Sequence, residues 1–240
     1  MRGSQLNRLS ILNDLRGRLV RREWPMVAVA QALGISPEVE VAAQQLAAAQ
    51  GVAPPVLEFD PARRFLLMPF IEGSMLEVDW MLRPERRAAV RELLERLRMI
   101  SSLSLPTLDL AQRLGELQQR LAMASPLHAA HWAQQVNHVI FEAEYTEVAG
   151  EVLVHGDLNP SNIIVRSDGS LCLLDWEYAH RGHADEDLAG LAADLPAHAM
   201  EFASWSLQPE CFEQRRRLRV LLDAVWRDLA AVSEFLAFEG

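Results

Sequence analysis

The segment "HGDLNPSNIIVRSDGSLCLLDWEYA", residues 155–179, contains two short apolar runs flanked by polar residues. The runs "NIIVR" and "LCLLDW" are joined by "SDGS", a combination typical of two strands connected by a tight turn. Antiparallel pairing brings the residue before the first strand close to the residue after the second. We therefore expect Asn162 and Asp175 to lie at the same end of a hairpin.

Phosphoryl transfer uses the polar side chains that this segment contains. From His155 the spacing is His-x-Asp-x4-Asn, and Asp175 follows one hairpin later. An aspartate on a loop can accept the proton of an attacking hydroxyl, while an asparagine and a second aspartate hold Mg²⁺ against nucleotide phosphates. We interpret Asp157 as the catalytic base, Asn162 and Asp175 as Mg²⁺ ligands, and His155 as a residue that holds the loop. The alternative is that these residues only form turns and cap strand ends.

Signals before residue 73 predict strands around one helix. Ser36 is a candidate N-cap, Pro37 suits the first helical position, and Gly51 follows the last turn. The predicted order is a strand pair at 8–14 and 18–23 with Gly17 near its turn, a helix over 36–51, and strands at 55–60 and 64–73.

From Arg83 to the C-terminus, apolar residues recur at helical spacing, and the quoted segment interrupts this pattern. The sequence therefore predicts an α+β fold of two lobes. A small mixed lobe over 1–72 is followed by a larger, mostly helical lobe over 73–240, with a hinge near Pro69–Gly73.

Composition limits the classes of protein that remain. The chain has 240 residues, half of them hydrophobic, but no apolar run approaches the roughly 20 residues that span a bilayer. No signal-peptide pattern is present at the N-terminus, and Cys172 and Cys211 are expected to stay thiols. A net charge of −10 disfavours nucleic acid and permits cationic substrates. We expect a cytoplasmic protein without membrane or nucleic-acid partners.

The central motifs resemble those of the aminoglycoside phosphotransferase/choline kinase family, whose fold is similar to that of the protein kinases. "VLVHGDLNPSNIIV" resembles the catalytic loop of the family, and "LCLLDWEYA" resembles its metal-binding strand. The short chain looks most similar to bacterial thiamine kinases. The resemblance implies transfer of the γ-phosphoryl group of ATP or GTP, with Mg²⁺, to the hydroxyl of a small alcohol.

The resemblance also implies a nucleotide site, although one usual residue is missing. "GSQLNRLSIL" resembles the nucleotide loop, "EVAAQQLAAAQGVAPPVL" the first helix and next strand, "FLLMPFIEG" the connector that meets adenine, and "ADEDLAGL" the segment with a structural aspartate, here Asp187. Kinases place a lysine on the third strand, but all 23 basic residues here are arginines, so Arg21 or Arg22 must replace it. We expect Arg21. The implied nucleotide residues are Gly3, Ser4, Asn7, Arg21, Glu40, Pro69 and Phe70.

The acceptor is predicted to be a cation. A carboxylate beside aromatic rings suits a quaternary or aromatic cation, which assigns Trp176, Glu177 and Tyr178 to the acceptor pocket; the alternative is that they only pack. Thiamine is favoured and choline follows. The remaining alternatives are an aminoglycoside or amino-sugar phosphotransferase and an inactive, nucleotide-binding pseudokinase. His180 and His183 are expected to be polar loop residues, not metal ligands.

Overall fold

The fold is taken from a computed structural model that describes residues 7–25, 34–81, 83–144 and 150–232. Contacts between Cα atoms group the chain into two units. Arg2–Thr107 and Gly150–Asp187 form the first unit, and Leu108–Ala149 and Leu188–Gly240 form the second. The predicted lobes, 1–72 and 73–240, are divided at a different place from these two units. The predicted boundary between the lobes stays a prediction.

The N-terminal part of the first unit contains the predicted strands and helix. Gly17 has a positive φ of 106°, which a glycine adopts without strain in the turn between the first two strands. The side chain of Ser36 caps helix α1 by accepting a hydrogen bond from the Val39 amide at 3.4 Å. The elements are β1 (Arg8–Asp14), β2 (Gly17–Glu23), α1 (Pro37–Ala49), β3 (Glu58–Asp60) and β4 (Phe65–Pro69), and the sheet is antiparallel in the order β1-β2-β4-β3.

The two faces of this sheet have different neighbours. Leu19 of β2 packs with Phe65 and Leu67 of β4 on one face. Because side chains alternate along a strand, Arg22 and Trp24 point to the opposite face, where both contact Glu40 of α1.

The rest of the first unit contains two further small sheets. Strands β7 and β8 pair with Ile163 opposite Leu173, so the predicted hairpin is confirmed. The strand Val152–Val154 leads directly into the loop that carries Asp157. It pairs with the strand His180–Gly182, a pairing that the sequence pattern did not predict. The elements are β5 (Ser74–Met75), α2 (Val78–Met81), α3 (Pro84–Arg98), β6 (Val152–Val154), β7 (Ile163–Val165), β8 (Leu171–Leu173) and β9 (His180–Gly182).

Helices form the second unit. Three long helices pack around a core of buried leucine and valine side chains, among them Leu114, Leu121 and Val225. Trp132 and Trp226 pack against this core. Within the described residues, every helix is too short or too polar to cross a bilayer. The helices are α4 (Leu110–Ala124), α5 (Pro126–Glu144), α6 (Glu186–Asp194, which begins in the first unit), α7 (Ala199–Ala203) and α8 (Pro209–Val232).

Candidate active site

Asp157 lies in a short loop between β6 and β7 and is almost buried, with 7% of its surface exposed. The side-chain amide nitrogen of Asn162 donates to the backbone oxygen of Asp157 at 2.9 Å and to its carboxylate Oδ2 at 3.0 Å. Asn159 closes the loop by donating to the same backbone oxygen at 3.2 Å. The loop therefore holds one carboxylate in a fixed orientation beside one asparagine.

His155 and Asp187 hold the start of this loop. The carboxylate of Asp187 accepts hydrogen bonds from the backbone amides of His155 at 2.8 Å and Gly156 at 3.0 Å. Nδ1 of His155 accepts from the Asp157 amide at 3.3 Å, and Nε2 lies 2.9 Å from the Leu174 carbonyl, to which it donates. Both ring nitrogens are thus used by the backbone, an arrangement consistent with the predicted structural roles of these two residues.

The hairpin brings Asp175 to the end at which Asn162 lies. The Leu174 amide donates to the Asn162 carbonyl at 2.9 Å, immediately before Asp175. Asp175 has a φ of 65°, a left-handed conformation that an aspartate tolerates better than most residues but that still costs energy. Such conformations persist where the surrounding structure fixes them, and they cluster at functional sites.

Arg22 contacts three carboxylates at this place. Its guanidinium lies 3.0 Å from Glu40, 2.6 Å from Asp175 and 2.9 Å from Glu177, and only 5% of its side chain is exposed. Arg22 therefore joins the first helix, the hairpin end and the segment after it.

Arg22, and not the expected Arg21, pairs with the helix glutamate. Arg21 lies on the opposite face of β2, where it pairs with Glu23 at 2.9 Å and its guanidinium lies 4.1 Å from the centre of the Phe65 ring. The expectation for Arg21 was wrong because alternation along a strand separates the two arginines but does not indicate which face the helix covers.

The charged groups of this cluster shift one another's pKa values. Burial lowers the pKa of Arg22, but the three carboxylates outweigh burial and raise that pKa above its ordinary value, so Arg22 stays charged. Burial and the charge of Asp175 raise the pKa of Glu177 to about 7, although Arg22 opposes this shift. Burial likewise raises the pKa of Glu40, against the effect of Arg22 and of Trp24, whose indole nitrogen donates to Glu40 at 2.5 Å.

The donor set fits a Mg²⁺ ion. Asn162 uses its amide nitrogen to hold Asp157, so its amide oxygen is the atom that would bind a cation. Asp175 supplies a second oxygen from the paired strand end, and its side chain is about one-third exposed. Three carboxylates around one guanidinium leave an excess of negative charge, which a divalent cation with oxygen ligands would neutralise.

The predicted acceptor residues lie in different surroundings. Trp176 is fully buried and its ring packs 4.6 Å from the ring of His155, so the expectation that it contacts an acceptor is corrected to packing. Glu177 accepts a hydrogen bond from the Asn7 side chain at 2.6 Å and from Arg22, which places its carboxylate among residues implied to bind nucleotide. Tyr178 is partly exposed, and its predicted contact with the acceptor stays a prediction.

The other predicted nucleotide residues are only partly described. Pro69 ends β4, and Phe70 follows with its amide donating to the Arg18 carbonyl at 2.9 Å. The Arg18 guanidinium lies 3.7 Å from the centre of the Phe70 ring. The contact of this connector with adenine stays a prediction. Gly3 and Ser4 lie outside the described residues.

The pair formed by His180 and Glu186 was not predicted from the sequence. His180 belongs to strand β9 and is buried, so the expectation of a loop residue was wrong. Its Nε2 lies 2.9 Å from the Glu186 carboxylate. The alternating pattern of a three-residue strand is too short to be recognised, and its partner β6 is far away in the chain.

Comparison with known proteins identifies the family. Residues 7–205 match the phosphotransferase enzyme family, and the chain therefore belongs to it. The family match shows a phosphotransferase, as predicted. Among curated protein sequences, none matches the chain.

Solved structures share its fold. A choline/ethanolamine kinase family protein from Mesorhizobium loti is 18% identical, with 98% of this chain and 85% of that chain covered and a TM-score of 0.69. The choline kinase LicA from Streptococcus pneumoniae is 16% identical, with 99% and 88% covered and a TM-score of 0.74. The GDP complex of aminoglycoside 2'-phosphotransferase-IIIa is 16% identical, with 99% and 88% covered and a TM-score of 0.70. These similarities confirm the predicted α+β, protein-kinase-like fold class.

Proposed function

We propose that this chain transfers the γ-phosphoryl group of ATP or GTP to the hydroxyl of a small cationic alcohol. The observation that carries the proposal is the position of Asp157. It lies in a loop anchored by Asp187 and is held by Asn162, next to the hairpin end that carries Asp175.

The proposed reaction assigns one step to each group. The carboxylate of Asp157 accepts the proton of the acceptor hydroxyl, whose oxygen forms a bond to the γ-phosphorus. The bond from that phosphorus to the bridging β,γ-oxygen breaks, and the nucleoside diphosphate leaves. Mg²⁺, held by Asn162 and Asp175, would supply charge neutralisation at the phosphates.

Arg22 supports a nucleotide site in a chain that has no lysine. Its ion pair with Glu40 reproduces the contact between a strand cation and the helix glutamate that kinases use. A guanidinium presents several donors in a fork that matches phosphate oxygens. We therefore assign to Arg22 the α- and β-phosphate contact of the usual lysine. GDP in the structure of aminoglycoside 2'-phosphotransferase-IIIa supports a nucleotide donor, and either ATP or GTP fits the proposal.

The cationic acceptor rests on overall charge and on similarity. The net charge of −10 favours cations, and choline kinases are among the structures with this fold. The motif "DWEYA" resembles choline and thiamine kinases, and the short chain looks most similar to thiamine kinases, so thiamine is favoured and choline follows. Aminoglycosides stay the alternative, because a phosphotransferase for them shares the fold.

A panel of acceptors tests the proposal directly. Purified protein is incubated with Mg²⁺ and ATP or GTP, and with thiamine, choline, ethanolamine, an aminoglycoside or a neutral sugar in turn. We expect nucleoside diphosphate to form only when a cationic alcohol is present, with the phosphorylated alcohol detected by mass spectrometry. Reactions without acceptor and with EDTA are the controls.

Two results would contradict the proposal in different ways. A preference for neutral sugars would remove the cationic acceptor but keep phosphoryl transfer. Thermal stabilisation by nucleotide, without consumption on any acceptor, would instead favour the pseudokinase.

A further inference from the structure

His180 and Glu186 form a buried pair next to the loop that carries Asp157. Only 4% of the His180 side chain and 12% of the Glu186 side chain are exposed. His180 lies opposite Val154 in the β6–β9 pairing, and Val154 directly precedes the catalytic loop. The mechanism proposed above uses neither member of this pair.

With an ionised Glu186, the hydrogen bonds of His180 place two protons on its ring. Nδ1 lies 3.0 Å from the Tyr178 carbonyl, which can only accept, so Nδ1 carries a proton. Nε2 lies 2.9 Å from Oε2 of Glu186, another acceptor when the carboxylate is ionised. A neutral imidazole would leave two acceptors facing each other, whereas an imidazolium ion satisfies both contacts.

The electrostatic surroundings favour the same protonation state. Burial alone would lower the pKa of His180, but the hydrogen bond and charge of Glu186 outweigh burial and raise that pKa above its ordinary value. The charge of Asp187 acts in the same direction, and β6 contributes the apolar Val154 at the paired position.

Both partners of His180 contact the structure that holds Asp157. The Tyr178 carbonyl lies against the backbone of Gly156, so closely that a Cβ atom on Gly156 would be 2.2 Å from it. Glu186 also accepts a hydrogen bond from the His183 amide at 2.5 Å, which fixes the start of helix α6. The next residue of that helix is Asp187, whose carboxylate holds the amides of His155 and Gly156.

We propose that His180, as an imidazolium ion between Glu186 and the Tyr178 carbonyl, is a positioning residue that keeps Asp157 oriented for phosphoryl transfer. The inference rests on the proposed function. Because the folded state favours the charged ring, the pair stabilises the loop fully below the ordinary pKa of about 6.5 and loses its effect as pH rises through the folded pKa. The kcat value is therefore expected to fall on the alkaline side of that pKa.

The kinetic experiment compares three variants across pH. His180→Gln removes the charge, and Glu186→Gln keeps the shape of the partner while letting a neutral His180 satisfy both contacts. His138→Gln, at an exposed position of α5, is the matched control. We expect the alkaline fall in kcat to disappear in both test variants and to persist in the control. His180→Gln should also lower kcat by up to about 100-fold with little change in nucleotide KM, as expected for a misplaced catalytic group.

A second measurement needs no acceptor. NMR of the wild-type protein follows the His180 ring and the amides of Gly156 and Asp157 during a pH titration. We expect the ring to titrate above about 6.5 and the two amides to shift with the same midpoint. The proposal is overturned if these amides do not follow the ring, or if the alkaline fall persists in both test variants. If no acceptor is phosphorylated, the proposed function fails, and this titration alone decides whether His180 positions the loop.

Discussion

At the scale of single residues, the replacement of the usual kinase lysine depends on which of two adjacent arginines faces the helix. Arg22 contacts Glu40, Asp175 and Glu177, while Arg21 contacts Glu23 on the other face of the sheet. The guanidinium of Arg22 can serve several oxygens at once, and an ammonium group on a lysine stem would reach fewer of them.

Exchange of each arginine for lysine separates their roles. We expect Arg22→Lys to weaken nucleotide binding about tenfold or more, because at least one charge-assisted hydrogen bond, worth about 1.5–3 kcal/mol, is lost. Arg21→Lys is the matched control and should change nucleotide affinity less than twofold. Nucleotide Kd, measured by calorimetry with Mg²⁺ present, provides the comparison. Equal effects, or a larger effect at Arg21, would contradict the assignment of Arg22.

Several residues could be predicted from the sequence, and others could not. The positions of Asp157, Asn162 and Asp175 around one hairpin end follow from motif spacing, because strand pairing determines which residues meet. The burial of Trp176 was one of two predicted alternatives, because an aromatic ring beside a carboxylate suits either packing or a cation. The contact of Arg22 with three carboxylates depends on a helix packing that no local pattern specifies.

At the scale of secondary-structure elements, the loop that carries Asp157 depends on a close approach between two backbones. Gly156 has a φ of 79°, and a Cβ atom there would lie 2.2 Å from the Tyr178 carbonyl oxygen. Glycine is therefore the residue that fits this position, because a side chain would push the loop away from the segment after β8.

Alanine at this glycine is expected to disrupt the loop. Gly156→Ala should destabilise the protein by about 1–2 kcal/mol from the left-handed backbone alone, with a further cost from the clash, and turnover should fall more than nucleotide affinity does. Gly115→Ala, in helix α4, is the control. Its Cβ would lie 3.6 Å from the Ile140 side chain, which is an ordinary contact distance. That control should stabilise the helix by about 0.5–1 kcal/mol. The free energy of unfolding, from chemical denaturation, and kcat are measured for both variants. Wild-type stability and turnover in Gly156→Ala would contradict the close approach between Gly156 and the Tyr178 carbonyl.

Elements with marked ends or a local turn were predicted correctly, whereas strands that pair across a long stretch of chain were not. Helix α1 begins after Ser36 and Pro37, and the β1–β2 turn contains Gly17, so local chemistry specifies both. Strands β6 and β9 have three residues each and pair across a long stretch of chain, which leaves no local signal. The loop that carries Asp157 and the His180–Glu186 pair are attached to these two strands.

At the scale of the whole molecule, the residues proposed for chemistry lie in one of the two contact units. Arg22, Glu40, Asp157, Asn162 and Asp175 belong to Arg2–Thr107 and Gly150–Asp187. The second unit is helical, with its own apolar core. A chain without lysine can thus be proposed to perform kinase chemistry, because an arginine and three acidic residues supply the needed charges and an asparagine supplies a neutral oxygen ligand.

Removal of the Asp157 carboxylate tests the central claim most directly. Turnover with the best acceptor of the panel and nucleotide Kd are measured for wild type and Asp157→Ala, with circular dichroism to confirm folding. We predict that kcat falls by about 10²–10⁴, the range typical of a lost general base, while nucleotide Kd changes little. A folded Asp157→Ala protein with near-normal turnover would contradict the claim that Asp157 is the catalytic base.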